Sequence, residues 1–255
     1  MKNEKHSFMI ERWKRKSATY GRYDGRTDVI EAEIFRTMKE AGIDFAGRSV
    51  LDIGCGTGKY TIRAAKEAQC VTALDISKEM LDILAEDAGK EGCENIDIVK
   101  CPWDEYVADG RKWDIVMATM TPAVRTFEDY ERAFACAKES MIYLGWGGRR
   151  DVELLADIVS RHKAQAKIFD NSRNMKKWLE GKGIEYFSKV FDEERTKTLS
   201  LEGAMDYCAD ELEAYGVDAD SAEIAEAVRK FEDADGSVSF KINGRFELIV
   251  FKNCP

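Results

Sequence analysis

Val50–Gly58, with the sequence Val-Leu-Asp-Ile-Gly-Cys-Gly-Thr-Gly, decides the fold of this 255-residue chain. The apolar run Ser49–Ile53 predicts a β-strand, and the three alternate glycines after it allow a sharp turn and a close backbone approach to a ligand. A helical segment through Ile62 follows the glycines. This stretch therefore predicts a β-turn-α unit with a ligand-binding loop.

The same alternation of strand and helix continues along the chain. The predicted strands are Ser49–Ile53, Val71–Leu74, Ile96–Lys100, Asp114–Ala118, Met141–Leu144, Ile184–Phe191 and Phe246–Phe251. Helices are predicted at about residues 28–41, 127–138, 151–162 and 174–182, and two further helices pass through Ile62 and Ala65 and through Met80, Leu81 and Leu84. Ser77 is predicted to cap the helix that carries Met80, and Thr126 with Asp129 is predicted to cap the helix that begins at Phe127. Apolar strands of this kind suit a parallel sheet that is covered on both faces. The pattern predicts an α/β, Rossmann-like, doubly wound sheet that is mostly parallel, with an antiparallel final strand and a helical insertion before it.

No low-complexity linker or internal repeat divides the chain, so we expect residues 1–255 to form a single domain. Two segments have a distinct charge. The N-terminal cap segment, residues 1–27, is basic, and the predicted helical insertion, residues 199–235, is acidic. The insertion either shapes a substrate pocket or forms a surface helical hairpin.

The overall charge and the cysteines limit the partners and the compartment. A net charge of -9 argues against a protein that mainly coats nucleic acid, because binding phosphates needs a surplus of Lys and Arg. The seven cysteines form no CxxC pair, and no stretch approaches the roughly 18 apolar residues of a membrane span. We expect reduced thiols, no metal site, no membrane partner and a cytoplasmic location; the sequence does not predict the oligomeric state.

Two phosphate-binding loops are excluded by single residues. A dinucleotide GxGxxG loop starting at Gly54 needs glycine where Lys59 lies, and a P-loop needs glycine at Ile53 and Ser or Thr at Tyr60. The acid at the end of the strand, Asp52, suits a cationic ligand better than a polyphosphate. Asp75, 17 residues after Gly58, can accept hydrogen bonds from both hydroxyls of a ribose, which predicts a nucleoside.

These residues resemble the class I S-adenosylmethionine (SAM)-dependent methyltransferase family over about residues 28–150. Val50–Gly58 resembles its motif I, and Leu74–Leu81, Leu-Asp-Ile-Ser-Lys-Glu-Met-Leu, resembles its second motif. The resemblance implies that the glycine loop passes beside the methionine part of SAM, that Asp75 holds the ribose, and that Ile76 flanks the adenine. The residues predicted to contact SAM, or its product S-adenosylhomocysteine (SAH), are Asp52, Gly54, Gly56, Gly58, Asp75, Ile76, Met80, Trp103, Asp104, Thr119 and Tyr20.

The chain departs from the family after the third strand. The family often places there an Asp that bonds the adenine amino group, whereas this chain has Pro102. Asp104 is the candidate replacement for that contact, and Trp103 either packs near the adenine or anchors the core. Cys101–Tyr106 and Ala118–Ala123 also resemble a subgroup from anaerobic microbes, which supplies no substrate.

Ligands of an open parallel sheet bind beyond the carboxyl ends of the strands, so Thr119–Val124 is predicted to line the crevice. Methyl transfer is an in-line displacement and does not require a base. If one is used, the candidates are Asp104, Tyr20 and Asp151; Tyr20 belongs to an N-terminal segment that, by the resemblance, folds over the cofactor. A glycine-rich turn ending in Arg149 and Arg150 either binds an anionic acceptor or is a solvated loop.

Three functions remain open from the sequence. The leading one is a methyltransferase with a small-molecule acceptor. The second is an RNA or protein methyltransferase that docks through the basic N-terminus, and the third is a non-catalytic SAM-binding regulatory protein. The only two histidines, His6 and His162, adjoin no motif, so neither a His-based catalytic pair nor a metal site is expected.

Overall fold

A computed structural model describes residues 2–164 and 168–253. The helices are α1 Lys2–Ser17, α2 Ile30–Glu40, α3 Thr61–Ala65, α4 Lys78–Lys90, α5 Phe127–Ala135, α6 Ala156–Arg161, α7 Asn171–Lys182, α8 Leu201–Tyr215 and α9 Ser221–Arg229, with a 3-10 helix, Glu153–Leu155, before α6. The strands are β1 Ser49–Ile53, β2 Cys70–Asp75, β3 Ile96–Lys100, β4 Trp113–Thr119, β5 Ala137–Val152, β6 Ile168–Asp170, β7 Tyr186–Ser200 and β8 Ser237–Lys252. In the described residues, no helix is both long enough and apolar enough to cross a bilayer.

The strands form a sheet in the order β3-β2-β1-β4-β5-β8-β7, and β6 pairs with β5 in antiparallel orientation. The pairs β1–β2, β1–β4, β2–β3 and β4–β5 are all parallel. The chain first builds outward from β1 to β3 and then returns to β4 on the other side of β1. The strand order therefore reverses between β1 and β4, which is where an open α/β sheet binds its ligand. The predicted α/β, doubly wound fold class is confirmed.

The local signals in the sequence explain the strands and helices around this point. Val50, Leu51 and Ile53 of β1 are completely buried, as expected for a central strand that is covered on both faces. Ser77 caps α4 by accepting a hydrogen bond from the Met80 backbone. Thr126 and Asp129 form a capping box at the start of α5. The predicted caps are therefore confirmed.

The contacts divide the described residues into two compact units. The first unit runs up to Gly145 and also includes Asn171–Lys189 and the chain from Glu247 onward. Its core packs the parallel strands against α5 and α7, and its largest fully buried side chains include Trp113, Tyr130 and Tyr143. It contains the glycine loop and the whole parallel part of the sheet.

The second unit comprises Trp146–Asp170, apart from residues 165–167, and Val190–Phe246. Helices α8 and α9 lie within the predicted insertion, residues 199–235. Its acidic residues are exposed or partly exposed, apart from Glu211, which is buried. The apolar faces of α8 and α9 pack with the 3-10 helix, α6 and the first half of β8 around a separate core. The boundaries predicted for the single domain, the N-terminal cap and the insertion stay predictions.

Two expectations are corrected. The predicted turn Gly145–Arg150 is part of β5, which is much longer than the predicted strand Met141–Leu144. The glycines there do not end the strand, because extended pairing with β6 continues through Gly147 and Gly148. Glycine-rich sequence was therefore a misleading turn signal at this position.

Candidate functional site

The glycine loop begins directly after β1 and has the backbone shape that only glycine adopts without strain. Gly54, Gly56 and Gly58 all have positive φ angles, of 69°, 56° and 81°. A Cβ atom at Gly54 would collide with Thr121, and one at Gly58 would collide with Leu84. At Gly56, in contrast, a Cβ would meet no atom within 4 Å. The loop is thus packed tightly at both ends and open at its centre.

Asp75, at the end of β2, is tied to the centre of this loop. Its Oδ2 accepts a hydrogen bond of 2.9 Å from the Gly56 backbone N–H, and its Oδ1 accepts one of 2.9 Å from the N–H of Ser77. Burial raises the pKa of the Asp75 carboxyl, and the backbone N–H donors oppose that rise. The sequence predicted that Asp75 serves the same ligand as the loop, and the two are in direct contact.

Asp52 lies in β1, the strand next to β2, and is completely buried. Its Oδ2 accepts a hydrogen bond of 2.7 Å from the Thr61 hydroxyl, whereas its Oδ1 has no partner among the described residues. Burial raises the pKa of Asp52 to about 7. Cys55 lies in the glycine loop three residues after Asp52. Burial raises the pKa of its thiol well above the ordinary value, and the nearby carboxyls of Asp75 and Asp52 raise it further. Its thiol therefore stays protonated and is a poor nucleophile.

The N-terminal segment lies against the glycine loop. The Thr57 hydroxyl donates a hydrogen bond of 2.7 Å to the Gly21 carbonyl, and the side chain of Lys59 packs against Gly21. Tyr20 is partly exposed, and its ring makes an edge contact with Trp13 at 6.0 Å between centroids. Sequence reasoning placed this segment over the cofactor but missed Thr57, whose partner lies 36 residues away.

The loop after β3 holds the two residues predicted to contact adenine. Trp103 is buried in the core of the first unit, and its backbone carbonyl accepts a hydrogen bond from Arg132. Its indole Nε1 has no partner among the described residues. Asp104 accepts a hydrogen bond of 2.9 Å from His6 of α1, and Glu105 lies 3.1 Å from the same ring. Asp104 is therefore already engaged by the N-terminal helix.

The loop after β4 completes this edge of the sheet. Thr119 ends β4 and pairs with Leu144 of β5, and it is largely buried. Met120 has a positive φ of 51°, an uncommon conformation for a residue with a side chain. This bend brings Thr121 onto Gly54, a contact that the sequence did not predict.

The other predicted residues have different surroundings. Ile76 follows Asp75 and is partly exposed, and Met80 is buried in the first turn of α4. Asp151 lies in β5 within the second unit. In the same unit, Arg150 donates hydrogen bonds to Glu211 and to the hydroxyl of Tyr207. The proposed anion-binding role of Arg150 is thus not supported, because its charge is already paired.

The structure brings the glycine loop, Asp75 and the loop after β4 together at the carboxyl ends of β1, β2 and β4. No contact with a cofactor is shown for any of the predicted residues, so all of these contacts stay predictions: Asp52, Gly54, Gly56, Gly58, Asp75, Ile76, Met80, Trp103, Asp104, Thr119 and Tyr20. In the described residues, no group of three or more His, Cys, Asp or Glu side chains is arranged to hold a metal ion.

Comparison with known proteins identifies a methyltransferase domain in part of the chain. Residues 50–141 match the family model for a methyltransferase domain. An uncharacterized protein of Haemophilus influenzae is 30% identical over 123 residues, which are 48% of this chain and 41% of that protein. The match thus spans less than half of that relative.

Solved structures agree on the fold. Magnesium protoporphyrin IX methyltransferase of Synechocystis PCC 6803, with bound SAH, superposes with a TM-score of 0.50 at 14% identity and covers 94% of each chain. Phosphoethanolamine N-methyltransferase 2 of Haemonchus contortus, in complex with phosphomonomethylethanolamine and SAH, gives a TM-score of 0.54 at 16% identity over 95% of this chain and 57% of that one. Part of the chain, residues 50–141, therefore matches a methyltransferase domain, and the chain shares its fold with methyltransferases whose structures hold SAH.

Proposed function

We propose that this chain is a SAM-dependent methyltransferase that transfers a methyl group to a small-molecule acceptor. The observation that carries the proposal is the Gly56–Asp75 contact, in which the partly buried carboxylate of Asp75 accepts a hydrogen bond from an open glycine loop. A loop that approaches a ligand through its backbone, next to a carboxylate at the end of the next strand, is suited to a nucleoside.

The residues at this edge fit SAM. The space above Gly56 is open, so the loop can lie beside the methionine part of the cofactor. In this proposal Asp75 holds the ribose, and Ile76, the next residue in the chain, flanks the adenine. Oδ1 of Asp52 is buried and has no hydrogen-bond partner in the described part of the chain, so it is an acceptor that a cationic ligand would satisfy. Trp103 offers a second unmet group, its indole N–H.

SAM supplies an activated methyl group on a sulfonium. The chain then has to orient the acceptor and exclude water, since an in-line displacement depends mainly on alignment. The Thr57 hydroxyl donates a hydrogen bond to the Gly21 carbonyl, so the N-terminal segment lies against the loop. In this proposal that segment helps to exclude water from the bound cofactor. A base is needed only when the acceptor retains a proton at the attacking atom; Tyr20, Asp104 and Asp151 are the candidates.

Two observations favour a small-molecule acceptor over RNA or protein. The net charge of -9 disfavours the electrostatic attraction that nucleic-acid binding needs. The two superposed enzymes are named for small-molecule acceptors, a porphyrin and a phosphorylated amine. The proposal therefore places the acceptor among metabolites.

Radiolabelled SAM tests both parts of the proposal. The protein is incubated with SAM labelled in its methyl group and with three fractions of one cell lysate, namely the ultrafiltrate, the purified RNA and the desalted protein. We expect label to enter the ultrafiltrate, and Gly56→Ala serves as the inactive control. Transfer to RNA or protein would overturn the acceptor class. SAH binding without transfer to any fraction would favour a regulatory protein, and the absence of SAH binding would overturn the cofactor assignment.

A further inference from the structure

Arg132, on α5, holds the loop after β3 in place. Its guanidinium donates hydrogen bonds of 3.0 Å to two backbone carbonyls of that loop, those of Trp103 and Tyr106. The guanidinium also lies over the indole ring of Trp103, 4.6 Å from the ring centroid. Within the loop, the rings of Trp103 and Tyr106 stack with their centroids 6.3 Å apart. One side chain of a helix therefore contacts the loop backbone at two points and its buried aromatic ring at a third.

Trp103 is not held by a hydrogen bond of its own side chain. Its indole N–H is buried and has no partner among the described residues, although buried polar groups normally have one. The ring belongs to the core cluster that also contains Leu74 and Ala118, each of which lies one residue before the end of its strand, β2 or β4. The position of the indole at this edge of the sheet therefore depends on core packing and on the contacts with Arg132.

The loop after β3 lies where the proposed binding mode leaves room for the base of the cofactor. Strand β2 lies between β1 and β3 in the sheet, and Asp75 ends β2. In the proposed function, Asp75 holds the ribose and the glycine loop after β1 lies beside the methionine part. The base leaves the ribose on the side opposite to the methionine part, which is the side of the loop after β3. The Cys101 N–H donates a hydrogen bond of 3.0 Å to the Asp75 carbonyl, so this loop begins in contact with the residue assigned to the ribose.

We propose that Arg132 is a positioning residue that holds the Trp103 loop against the base of the bound cofactor. The proposal rests on the proposed function and assigns part of its cofactor affinity to a residue of α5. Pro102 has no N–H to donate to a base, and Asp104 already accepts a hydrogen bond from His6, so the base depends on packing against a correctly placed loop. Arginine suits this role because its planar guanidinium offers several donors in a fixed geometry and also stacks on aromatic rings.

Two ligands that differ only at the base test this proposal. S-ribosylhomocysteine is SAH with its adenine replaced by a hydroxyl group, so a change that is confined to SAH reports on the base. Calorimetric titrations, with competition against SAH where a ligand binds weakly, compare the unchanged protein with Arg132→Met. Arg111→Met is the matched control, because Arg111 lies 4.8 Å from the centroid of another buried ring, that of Trp113, at the start of β4 and thus at the opposite edge of the sheet. Thermal melting shows whether each variant is folded at the temperature of the titrations.

We expect the SAH affinity to fall at least about tenfold in Arg132→Met and to stay within about twofold in the control. The affinity for S-ribosylhomocysteine should stay within about twofold in both variants, because Asp75 accepts its hydrogen bonds from Gly56 and Ser77 without Arg132. Arg132→Lys keeps the charge but cannot bond both carbonyls and cover the ring at once, so its SAH affinity should be intermediate. This second variant carries the test if Arg132→Met does not fold.

Three results would overturn the proposal. One is an SAH affinity of Arg132→Met equal to that of the control. Another is an equal loss of affinity for both ligands, since Arg132 would then support the whole site and not the base alone. The third is equal affinity of the unchanged protein for the two ligands, because the base would then contribute nothing. A failure of the cofactor assignment is distinguishable from all three, since in that case SAH does not bind the unchanged protein at all.

Discussion

Buried charge is arranged differently in the two compact units. In the second unit, the buried guanidinium of Arg150 bonds Glu211 and Tyr207, and its face lies over the ring of Trp146. In the first unit, the buried carboxylate of Asp52 has one oxygen bonded to Thr61 and the other without a partner in the described residues. Burying a charged group costs free energy in both units. In the second unit, the bonds from Arg150 to Glu211 and Tyr207 offset this cost, whereas in the first unit one oxygen of Asp52 lacks such a bond.

This difference distinguishes buried charged groups that stabilise the fold from buried groups that can bind a ligand. A buried group that is fully paired holds its surroundings in one arrangement and has little left for a ligand. A buried group with an unmet acceptor, such as Asp52 next to a loop with open space over Gly56, is more stable once a suitable ligand arrives. We therefore expect the Arg150 cluster to contribute to stability and the glycine loop to bind a ligand, and each expectation can be tested.

The largest expected effect is on stability in the second unit. Arg150→Met leaves the Glu211 carboxylate buried without its cation, which should reduce the free energy of unfolding by about 3–5 kcal/mol. Adding Glu211→Leu should restore most of the loss, because the unpaired charge is then removed. Urea unfolding followed by circular dichroism measures both. Lys78→Met, in an exposed pair with Asp82, is the control and should cost less than about 1 kcal/mol.

A loss at Arg150 as small as that of the control would break the comparison, because the buried pair would then contribute nothing structural. A double variant as unstable as the single one would indicate that the shape of the arginine, through its contacts with Tyr207 and Trp146, matters more than its charge.

The next largest effect is expected on the affinity of the glycine loop for SAH. Gly56→Ala and Gly92→Ala place a Cβ at similar positive φ angles, 56° and 69°, and neither meets another protein atom within 4 Å. Both should lose roughly 1–2 kcal/mol of stability from backbone strain. Only Gly56→Ala should lower the affinity for SAH, by about 100-fold or more, since its Cβ fills the space assigned to the cofactor. Calorimetry and thermal melting measure the two quantities, and equal SAH affinities would refute this placement of the ligand.

A smaller loss of SAH affinity is expected when Asp75, the acid proposed to hold the ribose, is changed. Asp75→Asn keeps an acceptor for one backbone N–H but removes the charge, so the affinity for SAH should fall about 10- to 100-fold, the range for a hydrogen bond to a charged group. Asp82→Asn, on the exposed face of α4, is the matched control and should leave SAH binding unchanged. Isothermal calorimetry of the two variants decides the point; if they behave alike, Asp75 supports the loop and does not hold the ribose.

The parts of this architecture that depend on local sequence could be predicted, and those that depend on distant partners could not. The strands β1 and β3, the cap at Ser77 and the pairing of the glycine loop with Asp75 all follow from spacing within about 25 residues. The contact of Thr121 with Gly54 depends on a positive φ at Met120, which the sequence does not mark.

The error at Gly145–Arg150 has the same physical origin. Glycines weaken a strand in isolation, so the sequence indicated a turn, but pairing of Gly147 and Gly148 with β6 keeps the backbone extended. The partner of Arg150 lies 61 residues away, on a helix whose docking no local pattern specifies. A cation available for a ligand and a cation paired within the protein have the same sequence signature, which is why the sequence left both readings of Arg150 open.

The smallest effect is a dependence of stability on pH that comes from Asp52. Burial raises its pKa to about 7 in the folded protein, above the value of about 4 for an unfolded chain, so the folded state holds the proton more tightly. The contribution of this group to stability is therefore present at low pH and is lost as the pH rises from about 4 to about 7.

Asp52→Asn keeps an oxygen for Thr61 but does not titrate. Relative to this variant, the unchanged protein should lose stability over that range, by at most about 1.4 kcal/mol per pH unit, and level off above it. Thermal melts of both proteins between pH 5 and pH 8 measure the difference, in which the other titrating groups largely cancel. Parallel profiles would mean that Asp52 is charged throughout, and the unmet oxygen would then need a cation even in the absence of a ligand.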